Sequence, residues 1–171
     1  MERRTLEELK KVVDPTWWST DEGQAWLRRQ SARDQWVTFL EPFGFDSWFT
    51  ITVDQKKHAP WKSGIQAMDA IERALEDVCK QIHIPCDAFI VSEEFKSGLY
   101  HGHGLLRVRA LNEDFQKLAL TEFWKFFFAK HGRNSFEAMR DSMNVRSYVS
   151  KYITKTKNDV DWRMLGCRKV I

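Results

Sequence analysis

A chain of 171 residues is long enough to bury a real core in one domain of ordinary size. Its 43% hydrophobic and 13% aromatic content excludes a disordered chain, and no apolar run approaches the ~20 residues that span a bilayer. The net charge of +3 is small but unevenly placed: positions 140–171 carry eight Lys/Arg against three Asp, a local balance of +5 that points to a polyanion-facing surface.

The N-terminus, MERRTLEELKKVVD, is charged and helix-periodic, unlike a secretory signal. The first 45 residues are expected to form a helical extension, with STDEGQAWLRRQSARDQWVTFL opening on cap residues and EPFGF ending it. Residues 46–171 then carry the main domain. SWFTITVD is rich in aromatic and β-branched residues and predicts a strand. HAPWKSG is a loop. IQAMDAIERALEDVCKQI predicts an amphipathic helix with Ile65, Met68, Ile71, Leu75 and Val78 inward. IPCDAFIVSEEF and LYHGHGLLRVRA predict two strands joined at KSG. NEDFQKLALTEFWKFFFAK predicts a helix with an Asn cap, and HGRNSFEAMRDS a short strand. NVRSYVSKYITKTK is helix-periodic, and DWRMLGCRKVI predicts a closing strand. The expected architecture is α+β: a ferredoxin-like or RRM-like antiparallel sheet with HxH on a central strand and helices packed on one face. Three cysteines (Cys79, Cys86, Cys167) form no CxxC pair and read as reduced thiols of a cytoplasmic protein. No GxxxxGK[ST] loop is present, so the chain carries no nucleotide-hydrolysing motor of its own.

Two stretches carry chemistry. If Ser97-Gly98 is a two-residue hairpin turn, Glu94 faces His101 across the strand pair, with Cβ atoms ~5 Å apart. His103, two residues on, projects to the same face, while Glu93 points to the other. Glu94, His101 and His103 then converge as a carboxylate and two imidazoles, leaving coordination positions open for a phosphate oxygen and water. Such a set suits Mg²⁺ or Mn²⁺ acting as a Lewis acid. Gly102 and Gly104 on the opposite face allow close approach of a helix. His58, His83 and His131 are expected in exposed or local capping roles.

The second stretch is SYVSKYITKTK, where Tyr148, Lys151, Tyr152 and Lys155 occupy one helical stripe. Val145, Val149 and Ile153 form the adjoining stripe and are expected to bury it, turning the tyrosines and lysines outward. Lysines beside a phenol favour the phenolate, and a phenolate can attack an activated phosphodiester.

The combination of HxH and a later YxxxY with YxxK spacing resembles the HUH endonucleases, the rolling-circle replication initiators of phages, plasmids and small viruses. FTITVD, YHGHGLL and YVSKYITK stand where that family carries its strand, metal and tyrosine motifs. The resemblance departs at Gly102, where the family favours a bulky hydrophobic residue. It implies a site-specific single-stranded DNA nickase and ligase with a divalent metal on Glu94, His101 and His103. Tyr152, in a KYxxK context, is the favoured first nucleophile and Tyr148 a second nucleophile or assistant, with Lys151 and Lys155 steadying the phenolate or phosphate. Single-stranded DNA or an origin hairpin would be the substrate, held by Arg107, Arg109, Arg146 and Lys157, with Trp61 stacking on unpaired bases. A host helicase and polymerase would be partners and the working place the host cytoplasm; no membrane contact is expected, and the oligomeric state is left open with a monomer favoured. A non-catalytic RRM-like binder of single-stranded nucleic acid, a metal-dependent hydrolase, and a transposase or relaxase of the same superfamily are the alternatives.

Overall fold

Strands form where aromatic and β-branched residues cluster between breaks at glycine, proline and aspartate. The computed structural model describes residues 15–139, 145–149 and 161–166, with Pro15, Trp18, Arg146 and Ser147 described for their backbone alone. Within them β1 (Ser47–Ile51), β2 (Cys86–Glu94), β3 (Tyr100–Val108), β4 (Asn134–Ala138) and β5 (Trp162–Leu165) make one sheet in the order β4-β1-β3-β2-β5. Every neighbouring pair is antiparallel. The HxH strand, β3, is central, as expected.

The helices begin on side-chain caps. Thr20 accepts from the Gly23 N–H at the start of α1 (Asp21–Leu40). Ser63 does the same for Gln66 at α2 (Gly64–Ile82), and Asn112 accepts from Asp114 and Phe115 at α3 (Glu113–His131). Each cap satisfies donors that the first helical turn leaves without partners. A fourth, short helix, α4, spans Val145–Tyr148. The connectivity β1-α2-β2-β3-α3-β4 gives an α+β sheet consistent with a ferredoxin-like fold, to which β5 adds an edge strand beside β2.

One expectation is corrected. The helices do not lie on one face. On one side α2 and α3 bury Ile71, Leu75, Phe123 and Phe127 against Phe49, Ile90 and Leu106. On the other, Val37 and Leu40 of α1 pack with Phe89, Val91, Leu105, Val145, Tyr148 and Val149. The reason is legible in β2 itself, where Ala88-Phe89-Ile90-Val91 has no polar alternation and both faces need cover. Ile65 was also expected inward; it lies in the first turn of α2 and is 61% exposed, whereas Met68, Ile71, Leu75 and Val78 are buried.

Behind the histidines, a Cβ on Gly102 would overlap Ile71 Cδ1 of α2, and one on Gly104 would meet the Phe49 ring. The two glycines therefore let α2 and β1 close against β3, as their placement suggested. Among the described residues no helix is long and apolar enough to cross a membrane.

Candidate metal centre

The hairpin between β2 and β3 decides which carboxylate meets the histidines. Phe95 N–H donates to Leu99 O at 2.7 Å, and Gly98 N–H donates to Phe95 O at 2.9 Å. Gly98 has φ +77°, so Lys96-Ser97-Gly98 is a three-residue loop ending on a left-handed glycine. The loop is one residue longer than the expected Ser97-Gly98 turn, and a one-residue shift of register exchanges the faces. Glu93 pairs with His101, Val91 with His103, and Glu94 with Tyr100.

The predicted ligand set is corrected accordingly. Glu93, not Glu94, shares the face of the two imidazoles. Its Oε2 lies 3.3 Å from Nε2 of His101 and 3.3 Å from Nε2 of His103. One ligand atom from each of the three residues lies within 4.8 Å of the others, a cluster that could hold a metal ion. Glu94 is exposed at the end of the strand on the opposite face.

Burial is graded across the cluster. The side chains of His103, His101 and Glu93 are 1%, 14% and 34% exposed, so the site opens to solvent on the Glu93 side. The contact with His103, opposed by burial, holds the Glu93 carboxyl below the usual carboxylate range. Burial first, then the neighbouring His103, pushes His101 below the usual imidazole value. Near neutral pH Glu93 is an anion and His101 a neutral imidazole, the protonation states that metal ligation requires. His101 Nδ1 is buried with no hydrogen-bond partner among the described residues. The face of its ring is covered by Phe95, stacked at 4.2 Å between centroids.

Tyr148 also differs from expectation. It was placed on an outward stripe with Lys151, Tyr152 and Lys155; instead it is 3% exposed, with its hydroxyl 2.9 Å from His103 Nδ1. Because α4 lies on a covered face of the sheet, Tyr148 joins Val145 and Val149 in the packing. When Nε2 of His103 offers its lone pair to the cluster, Nδ1–H is the donor and the phenol oxygen accepts. That is the geometry by which a neighbour fixes the tautomer and ring plane of a ligating histidine. Lys151, Tyr152, Lys155, Lys157 and the Arg146 side chain lie outside the described residues.

The other predicted contacts fall elsewhere. Arg107 and Arg109 sit at the far end of β3, where both grip Asp87, a carboxylate with no exposed surface. Burial raises the Asp87 carboxyl, but the Arg109 and Arg107 guanidiniums override it and hold it below its usual value. Trp61, expected to stack on bases, is a core residue at 4% exposure; its carbonyl accepts from Tyr100 N–H at 3.1 Å. His131 is likewise buried, with its ring against Trp61 and Phe127. Burial pushes its pKa down to about 4. His83 adopts a left-handed conformation as the C-cap of α2, the local role expected of it.

The sequence reading missed Phe95 and Asp87. The two-residue turn sets Phe95 opposite Tyr100, on the face away from His101; only the longer loop, which pairs Phe95 with Leu99, sets it diagonal to His101. Asp87 carries a readable signal, an acidic residue inside an otherwise apolar strand.

No protein-family model matches the chain, and no curated protein matches it significantly.

Proposed function

We propose that the protein is a metal-dependent, tyrosine-using nickase and ligase of single-stranded DNA, of the kind that starts rolling-circle replication. The observation that carries the reading is the buried contact between Tyr148 and His103, which ties the tyrosine-bearing segment to the Glu/His/His cluster. A soft-metal site would favour thiolates; a carboxylate with two imidazoles suits Mg²⁺ or Mn²⁺. A divalent ion held by Glu93, His101 and His103 supplies Lewis-acid polarisation of a phosphodiester oxygen.

In this reading Tyr152 is the nucleophile. Its phenolate oxygen attacks the phosphorus, the bond to the 3′ oxygen breaks, and a 5′-phosphotyrosine and a free 3′-OH result. Lys151 and Lys155 favour the phenolate. Tyr148 acts by holding His103 in its ligating tautomer. Attack of the 3′-OH on the phosphotyrosine reverses the step and rejoins the strand. The 3′-OH also primes synthesis, which would place a helicase and a polymerase of the host beside the enzyme.

DNA would be held by the basic segment from Arg140 onward, so affinity should fall as salt rises. The aromatic edge fits unpaired bases. Trp162 (45% exposed) and Phe39 (41% exposed) flank an open groove with Trp36. Trp162 pairs with Val91, itself the partner of His103, so it stands two strands away, about 10 Å. That distance is the reach of one or two nucleotides, and it puts stacking rings beside the phosphate to be cut. An RRM-like reading needs an open sheet surface, whereas both faces here are covered by helices.

The test is a denaturing gel after incubation with single-stranded oligonucleotides and Mn²⁺. A covalent protein–DNA band is expected, lost in Tyr152→Phe. Cleavage without any adduct would instead favour a hydrolase, and no cleavage of any single-stranded substrate, hairpins included, would end the nickase reading.

A further inference from the structure

Cys79 and Cys86 are seven positions apart in sequence, one near the end of α2 and the other the first residue of β2. The connection between them reverses at His83, held at φ 56°. This reversal brings the two sulfurs to 3.2 Å. Both are free thiols. A disulfide bond is about 2.05 Å long, so little movement separates this contact from a bond.

We propose that Cys79 and Cys86 form a redox-active dithiol, closed reversibly to an intramolecular disulfide by a hydroperoxide. The inference is independent of the nickase reading. It concerns the opposite end of β2 from Glu93, about 23 Å along the strand.

The two thiols are not equivalent. Cys79 is partly exposed and Cys86 is 8% exposed, so an oxidant reaches Cys79 first. The hydrogen bond with Cys86 lowers the Cys79 thiol, while the same contact and burial raise Cys86. The thiolate is the attacking species, which makes Cys79 the peroxidatic sulfur and Cys86 the resolving one. In the first step Cys79 sulfur bonds to the distal peroxide oxygen, the O–O bond breaks, and the alcohol leaves after taking a proton. In the second, Cys86 sulfur attacks the Cys79 sulfenic acid, the S–S bond forms, and water leaves with the Cys86 proton. Two thiols and one hydroperoxide become one disulfide, one alcohol and one water. Two equivalents of an external thiol reverse it.

The experiment uses the full chain carrying Cys167→Ser, so that only this pair can react. The folded protein is treated with one equivalent of hydrogen peroxide, unfolded, alkylated and weighed. Alkylatable thiols should fall from two to none with an intact mass lower by about 2 Da, and dithiothreitol should restore both. Adding Cys86→Ser should stop the reaction at a Cys79 sulfenic acid that dimedone traps. Adding Cys79→Ser should leave Cys86 alkylatable. Two thiols still alkylatable after this treatment, gain of oxygen without loss of the thiol pair, or disulfide-linked dimers as the only product would overturn the proposal.

Discussion

Asp87 and Glu93 stand on one strand and one face, and each meets two basic residues on β3 or directly after it. At Asp87 the partners are Arg107 and Arg109, guanidiniums that stay charged at every accessible pH. The carboxylate is neutralised where it stands, and the cluster is closed. At Glu93 the partners are imidazoles. His101 is held below its ordinary pKa by burial, so the carboxylate keeps its charge and two ring nitrogens point at it. Two ends of one hairpin thus differ in their nitrogen partners. Guanidiniums, whose charge is fixed, make a structural clamp; imidazoles, which can offer a lone pair, make a pocket that suits an added cation.

The largest expected effect lies at the clamp. Asp87→Ala removes the carboxylate that two guanidiniums, 16% and 32% exposed, share. Urea unfolding should show a loss of about 3 kcal/mol, since removing one member of a buried pair costs far more than the pair contributes. Manganese affinity of the folded fraction should be unchanged. A loss under about 0.5 kcal/mol would mean that the clamp is a surface pair like any other.

Tyr148→Phe acts at the other end and on function rather than folding. It keeps the ring in the core and removes the oxygen from His103 Nδ1. Manganese affinity should fall about tenfold, the low end for loss of a residue that orients a ligand. Adduct formation at saturating metal should survive in part, because the proposed nucleophile is Tyr152. Complete loss of adduct with unchanged metal affinity would make Tyr148 the attacking residue.

Acid separates the carboxylates from a third group. As pH falls from 6.5 toward about 4, the unfolded chain protonates His131 before the folded one does, so stability declines across that window. Asp87 and Glu93, both lowered in the fold, keep their stabilising charge there and lose it only below the usual carboxylate range. His131→Phe should therefore lessen the fall in thermal stability between pH 6.5 and 4, leaving in place the share due to His101, whose pKa burial also lowers, and the loss at lower pH. An unchanged slope in that window would assign it to other groups.

Much of this site was readable. Alternation of apolar and small residues placed both histidines on one face of a strand, and the order of elements gave the sheet and its central position for β3. What the sequence left open was a single residue of loop. FKSGL accepts a two-residue turn or a three-residue loop, and each places a glycine where a left-handed backbone is needed. The two choices pair Glu94 or Glu93 with His101, and only the backbone bonds around Phe95 and Leu99 decide. Tyr148 was misplaced for a different reason. Helical periodicity divides a helix into stripes but does not say which stripe meets the sheet when α1 already covers that face. Trp61 beside Pro60 looked like loop, yet its bridge to Tyr100 draws it into the core.

Calorimetric titration with Mn²⁺ asks whether Glu93, His101 and His103 hold a divalent cation. Wild type and Glu94→Gln should bind one equivalent with the same affinity, while Glu93→Gln and His103→Ala, both verified as folded, should lose binding by about a hundredfold or more, since losing a ligand costs at least as much as losing the residue that orients it. Equal binding by Glu93→Gln, or loss of binding in Glu94→Gln, would mean that the cation is not held by Glu93.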